Sequence, residues 1–485
     1  MTFELSDVQG NVVRGYGLSF ACARHFAVAI GDAGAARRFL GELVDGDTYD
    51  GVNVTSGVEW PGGHKPASCL NVGITWLGLR ALGVAPAVLA AFPPAFCQGP
   101  AVRAQPAKPP VAGDVGLGDV GESAPEHWEV GGPNTPEVHL LVSLHARGTA
   151  RLDGVTVGVR QALADHALTE LWHRDARGLP SRGRPSGRVH FGYVDGIAQP
   201  RIAGAPGREQ PPDLQPQMPS GDLLLGGDHR NSFGGNFAGS LPSALADNAT
   251  YGAFRVLRQN AGAFEGLLRE WAAASGADPE LIAAKLMGRW RTGVPLVLSP
   301  QTDRPEPPVP HDKLNEFDYV SPAARPALYD DSEGQRCPYG AHVRRLNPRG
   351  APVMGTPHSR RLVRRSMPYG PELPDGVTAD DGVERGLVGY FLCGDLEAQF
   401  EFLQRVWVNN DFAAAGLRGT RDPIMGSQPA GGGTFTAHLN GSRRPTTLRG
   451  LPTLVTTRGS AYCLLPGIGG LRYLASLPEP KAVDG

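Results

Sequence analysis

Residues 26–43 read FAVAIGDAGAARRFLGEL, and residues 389–406 read GYFLCGDLEAQFEFLQRV. Both run in one order: a short apolar stretch, a Gly-Asp break, then apolar residues at helical spacing. Short apolar stretches closed by turn residues suit strands, and recurrence every three or four residues suits one face of a helix. Phe39, Leu40, Leu43 and Val44 share such a face in the first copy, as do Phe400, Leu403 and Trp407 in the second. The echo predicts a duplicated strand-helix unit.

Working outward, residues 20–30, 69–74 and 138–146 read as strands, residues 75–82 as a helix, and residues 155–171 as an amphipathic stretch. Strand-helix units of this kind predict an α+β fold of the ferredoxin type. Residues 93–135 are rich in Pro and Gly and predict a long loop. So do residues 201–250 and 300–335, with a helical stretch at 252–286 between them. The strand-helix theme returns at 389–408 and at 461–477. Two similar domains are expected, 1–185 and 186–485, the second carrying a loop and helical insertion around 201–335.

The chain has 485 residues, enough for about two or three domains. An apolar fraction of 41% supports real cores. A net charge of -2 points to no nucleic acid or anionic membrane partner. No run of about 18 apolar residues is present, so no membrane span is expected. The N-terminus lacks a basic and apolar leader and a twin-Arg signal. Six cysteines stand singly, without a Cys-x-x-Cys pair, and most read as buried free thiols rather than zinc ligands. Such thiols suit a reducing compartment, so a cytoplasmic location is expected.

Three stretches carry chemistry. The first is Phe191-Gly192-Tyr193-Val194-Asp195-Gly196-Ile197-Ala198-Gln199-Pro200. An Asp-Gly pair usually marks an exposed turn. Here Phe191, Tyr193, Val194 and Ile197 surround the carboxylate, which in such a setting needs a partner or a function. The second runs from Cys337 to Arg349 and holds His342 behind Pro338-Tyr339-Gly340-Ala341. No further ligands lie at zinc spacing, and a single axial imidazole on haem iron suits a lone His better. Such a ligand wants its other ring nitrogen held by an acceptor. Asp395 is the best candidate, with Glu397 or Glu401 behind it. The third, residues 361–370, is one of several arginine-rich segments. On a strand, Arg361 and Arg365 face away from the side that Arg364 presents, which leaves several arginines in play. Gly116-Leu117-Gly118-Asp119-Val120-Gly121 matches the G-x-G-x-x-G pattern, but it follows a proline-rich stretch and opens no helix, so it is not a dinucleotide site.

These three stretches resemble the dye-decolorising peroxidases, a family of haem peroxidases, and the longer subclasses among them. The likeness extends to residues 7–17, 70–79 and 458–466. It implies two ferredoxin-like domains, each an antiparallel sheet with packed helices, with haem b (iron protoporphyrin IX) in the C-terminal one. It implies Asp195 as the acid-base group, His342 as the axial iron ligand and Arg364 as the arginine over the reacting face. It also places an acid behind the axial ligand at Asp395. Haem-lining backbone is implied at Gly196, Ile197 and Ala198, and at Asn347, Pro348 and Arg349. Tyr193 stands where Phe is usual, and Ser366 where some subclasses have Asn.

The implied partners are hydrogen peroxide and organic electron donors such as dyes and phenolics, oxidised in one-electron steps. A carboxyl with an ordinary pKa of about 3.9 stays a base in mild acid, so activity favouring low pH is expected. The competing expectation is a haem-handling protein, deferrochelatase-like, with secondary peroxidase activity. Binding alone needs only His342 and a pocket, and the presence of Asp195 and Arg364 favours the enzyme. The sequence leaves homo-oligomer formation and packaging in a larger assembly open.

Overall fold

The computed structural model describes residues 3–17, 19–46, 53–106, 116–181, 184–185, 187–205, 215–320, 330–350, 357–410 and 417–478. Eight strands carry the fold. The first four are β1 (Cys22–Ile30), β2 (Ser68–Ile74), β3 (Leu140–Ala146) and β4 (Leu168–Arg177). The others are β5 (Thr250–Gln259), β6 (Val363–Tyr369), β7 (Gly386–Cys393) and β8 (Val455–Leu465). Their order in the sheet is β4-β1-β3-β2-β8-β5-β7-β6, with antiparallel neighbours throughout.

Helix α1 (Ala33–Asp45) follows β1, and α2 (Thr149–Asp165) follows β3. Helices α3 (Ala261–Ser275) and α4 (Pro279–Met287) follow β5. The segments Leu396–Glu401 and Leu403–Val408, both wound as π-helix, follow β7. Each half therefore repeats one plan, with its fourth, first, third and second strands side by side. That is the α+β, ferredoxin-like arrangement expected from the sequence. The halves join where Ile74 of β2 pairs with Leu464 of β8.

Burial decides the layering. Phe39 and Leu40 of α1 pack with Phe26 and Val72 on one face of the first half-sheet. Fully burying such a side chain is worth about 1.5–3 kcal/mol. The other face turns toward the second half. There the Phe254 ring of β5 lies 5.7 Å from His25 and 6.1 Å from Trp172. The Ser143 hydroxyl bridges His25 Nδ1 and the Tyr390 hydroxyl, at 2.8 Å each.

Several sequence expectations change. The echo between 26–43 and 389–406 pairs units that do not correspond: β1–α1 opens its half, whereas β7 and its π segments form the second unit of theirs. Every strand-helix unit of this fold buries one helix face on a sheet, so all of them carry the same layout. Residues 252–259 are strand rather than helix. Almost every side chain of β5 is buried, so no alternation marks the strand. The expected loop 93–135 contains a helix, Pro94–Arg103, kinked at Gly99 with φ 74° just before Pro100; its Pro94 sits at the first helical position, where no N–H is needed. Residues 107–115 of that stretch lie outside the described residues. The amphipathic stretch 155–171 divides into the end of α2 and the start of β4.

The G-x-G-x-x-G stretch is a loop. Its Asp119 accepts from Arg255 Nη1 at 2.8 Å and from the Thr457 hydroxyl at 2.6 Å, which tie it to β5 and β8. All six cysteines are free, and five are buried.

Candidate active site

The outer face of the second half-sheet forms the floor of a cavity. Arg364 and Ser366 of β6 lie on it, with Leu387, Gly389 and Phe391 of β7 and Leu257 of β5. The register places Arg364 opposite Phe391, and Ser366 opposite Gly389. Side chains of one parity share a face, so Arg365 and Met367 leave by the other side. This choice, open in the sequence, falls on Arg364.

Asp195 enters from a tight loop. Gly192 and Gly196 both have φ 84°, a region that favours glycine. A Cβ on Gly192 would also stand 2.7 Å from Arg291 Nη1. The loop is anchored where Asp195 N–H donates to the Gly187 carbonyl at 2.8 Å and Val194 N–H to the Arg291 carbonyl at 3.1 Å. Asp195 Oδ1 then sits 3.3 Å from Arg364 Nη2, both side chains partly exposed. Gln199 ties the loop to the strand. Its amide accepts from Arg364 N–H and donates to the Arg364 carbonyl, both at 3.1 Å.

His342 forms another part of the wall. It opens the short helix α5 (His342–Leu346), and its Nδ1 lies 3.0 and 3.1 Å from the two carboxylate oxygens of Asp422. Asp422 is fully buried and also accepts from the N–H groups of Ile424 at 2.9 Å and Met425 at 2.7 Å. Burial pushes its carboxyl up, but the His342 imidazole, the Met425 N–H and Arg345 together hold it below the usual aspartate range. Arg345, three residues beyond His342, donates to the Thr420 carbonyl at 3.0 Å and to the Asn410 carbonyl at 2.5 Å. One side chain thus fastens the His342 helix to the Asp422 loop.

Asp395 does not hold His342. It caps the first π segment, accepting from Ala398 N–H at 2.6 Å, and burial raises its pKa. Glu401 is likewise engaged elsewhere, with Arg103 at 2.5 Å and the Tyr462 hydroxyl at 3.1 Å. A Gly-Asp pair before a helix is a capping signal, and capping uses the carboxylate. The sequence sign of Asp422 is faint: an Asp-Pro step whose side chain turns back on the N–H groups two and three residues on.

Ile197 and Ala198 line the cavity. Gly196 lines an adjoining chamber instead. Asn347, Pro348 and Arg349 are not among the described lining residues of the cavity. Asn347 ends α5. Arg349 turns away, donating to the Phe317 carbonyl at 2.7 Å and to Asn315 Oδ1 at 2.7 Å.

The donor set suits haem. One imidazole, its Nδ1 held by a carboxylate, leaves Nε2 for a metal, and much of the wall is apolar: Met287, Leu346, Phe391, Phe400, Leu403 and Ile424. Among the described residues no cluster of His, Cys, Asp and Glu could hold a bare metal ion. No described helix is long and apolar enough to cross a membrane.

Known proteins resemble the chain along nearly its whole length. No protein-family model matches the chain. The dye-decolorizing peroxidase msp1 of Mycetinis scorodonius is 26% identical over 98% of this chain and 88% of its own. The multifunctional dye peroxidase DyP2 of an Amycolatopsis species is 27% identical over 92% and 91%. A dye-decolorizing peroxidase solved with 2,6-dimethoxyphenol superposes with a TM-score of 0.78 at 25% identity, covering 98% of this chain and all of that one. The fold and these relatives define a peroxidase, an oxidoreductase. Along nearly its whole length the chain is similar to dye-decolorising peroxidases.

Proposed function

We propose that the chain is a haem b peroxidase that reduces hydrogen peroxide and takes single electrons from organic donors such as dyes and phenolics. The observation that carries this reading is one cavity walled both by the Asp422-held His342 and by the Asp195–Arg364 pair.

When bound, the haem supplies the iron that receives peroxide and holds its oxidising equivalents. His342 Nε2 is the ligand that would hold it. Asp422 fixes the ring and raises its basicity. Arg289 also lines the cavity, and its guanidinium, pushed down to about 9 by burial and by Arg349, donates only to neutral oxygens among its described partners. It suits a carboxylate edge of the cofactor. Asp195 takes the proton from one peroxide oxygen and returns it to the other. Arg364 stabilises the negative charge that develops as the O–O bond breaks. Two donor molecules each give one electron and one phenolic proton, and the peroxide leaves as two waters. We also keep the domain division at 185/186 and, from the free thiols, a cytoplasmic location as part of this reading.

The test is spectral. Purified protein loaded with haem should show a His-ligated Soret band that changes within the mixing time of added peroxide. A band indifferent to peroxide would overturn the enzyme and leave a haem-handling protein.

A further inference from the structure

The G-x-G-x-x-G stretch, residues 116–121, lies in the N-terminal half between β2 and β3, yet it meets the turn that carries Asp422. Asn409 stands between the two. It closes the second π segment, whose Leu403, Gln404 and Val408 line the cavity, and it is buried. Its Nδ2 donates to the Leu117 carbonyl at 3.0 Å and to the Gln404 carbonyl at 3.1 Å. Its Oδ1 accepts from Ser427 N–H at 2.9 Å. Both sides of the amide, donor and acceptor, are therefore in use. Beside them the Ser427 hydroxyl donates to the Gly118 carbonyl.

This contact needs a glycine. Gly118 has φ 76°, and a Cβ on it would stand 2.1 Å from Asn409 Nδ2. The loop is itself anchored, since Leu117 N–H donates to the Ala104 carbonyl at 3.1 Å and Asp119 pairs with Arg255. The Asp422 turn is closed on itself. Gly426 N–H and Gln428 Nε2 donate to the Asp422 carbonyl at 3.0 and 2.8 Å, while the carboxylate holds the N–H groups of Ile424 and Met425. One end of the turn hangs from Val408, whose carbonyl accepts from Asp422 N–H at 2.8 Å. The other end is held at Ser427. A turn so closed shifts as a unit, so releasing Ser427 displaces the carboxylate relative to His342.

We propose that Asn409 is a positioning residue for the Asp422–His342 pair, braced against the 116–121 loop of the N-terminal half. The 3.0 and 3.1 Å contacts of that pair then depend on a connection that belongs to the other half. A carboxylate on a ligating imidazole fixes the ring and sets its basicity. The brace acts through Asp422 and touches no reactant. The inference rests on the reading of His342 as haem ligand and adds what holds its partner in place.

The test compares Asn409→Ala and Ser427→Ala with Asn71→Ala in the haem-loaded protein. Asn71 is also a buried amide, donating to Gln9 Oε1 at 3.3 Å and to the Thr55 carbonyl at 3.2 Å, but it is not part of the cavity wall. Thermal unfolding, redox titration and the Fe–His stretch in resonance Raman are the readouts, alongside the peroxide rate. Asn409→Ala and Asn71→Ala should both lower the Tm. Only Asn409→Ala should raise the reduction potential and lower the Fe–His stretching frequency, the direction expected when Asp422 loses its hold. Its peroxide rate should fall roughly 3–10-fold, less than the ~10–100-fold of a direct partner. Ser427→Ala removes one hydroxyl and should move the potential the same way by less, which decides the matter if Asn409→Ala does not fold. A potential and stretch unmoved by either variant, or moved equally by Asn71→Ala, would overturn the role. Shifts as stated in a protein whose Soret band ignores peroxide would support the brace and overturn the peroxidase reading, so the two failures are separable.

Discussion

Gln199 and Arg364 hold each other through a reciprocal pair of hydrogen bonds, side-chain amide to backbone, both 3.1 Å long. β6 is the last strand of the sheet, so its outer edge would otherwise present unpaired backbone groups. Gln199 fills that edge at the residue whose side chain meets Asp195. The 3.3 Å separation of Asp195 and Arg364 is therefore fixed from the backbone of both.

Gln199→Leu removes both bonds. Misplacing a reacting group by about 1 Å can cost ~10²-fold, so the peroxide rate should fall by about 10-fold or more while the Soret band keeps its position. Stopped-flow mixing with peroxide checks this; an unchanged rate means the loop and strand hold their geometry without the amide.

Asp195→Asn should slow the peroxide reaction by ~10²–10⁴, the usual contribution of a positioned acid-base group. Arg364→Leu should cost ~10²–10³. The pair acts on one molecule, so the double variant should cost less than the product of the two. A strictly multiplicative double variant would show that they act independently.

Asp422→Asn and Asp395→Asn separate the two candidate partners of His342. Asp422→Asn should raise the reduction potential of the loaded protein and lower activity by about 10–100-fold. Asp395→Asn should leave the potential unchanged, since an Asn still caps. A potential that moved only with Asp395 would reverse the assignment.

Acid should loosen the joint between the two half-sheets. Burial lowers the His25 pKa to about 4, against an ordinary 6.5. The unfolded chain binds this proton below pH 6.5 and the folded chain does not. Its neutral form therefore costs no stability above pH 6.5, and stability falls as pH drops from 6.5 to about 4, by about 3 kcal/mol at the end. Thermal unfolding across that window measures the slope. His25→Leu should flatten it, even if the Tm at pH 7 is lower; an unaltered slope would assign the acid sensitivity to other groups.

Much of this molecule is written locally. Apolar spacing alone places β1, α1, β2 and the strand-helix pair at the C-terminus, because a helix face or a strand run is a property of neighbouring residues. The motifs around Asp195, His342 and Arg364, with their glycine and proline frames, are also local, and they carry the resemblance on which the proposed peroxide site rests. Local pattern misled in two places: β5 is buried on both faces and resembled a helix, and Asp395 carries a capping signal that resembled a ligand partner.

The tertiary structure decided what distance along the chain hides. It brought Asp422 to His342 across 80 residues and left Asp395 at its cap. It picked Arg364 from a crowd of arginines through strand register, and set Gln199 against it. It also set Asn409 between the 116–121 loop and the Asp422 turn. Each of these depends on which surfaces meet after the two half-sheets close. That is settled by burial and hydrogen-bond satisfaction over the whole chain, and no stretch of ten residues contains it.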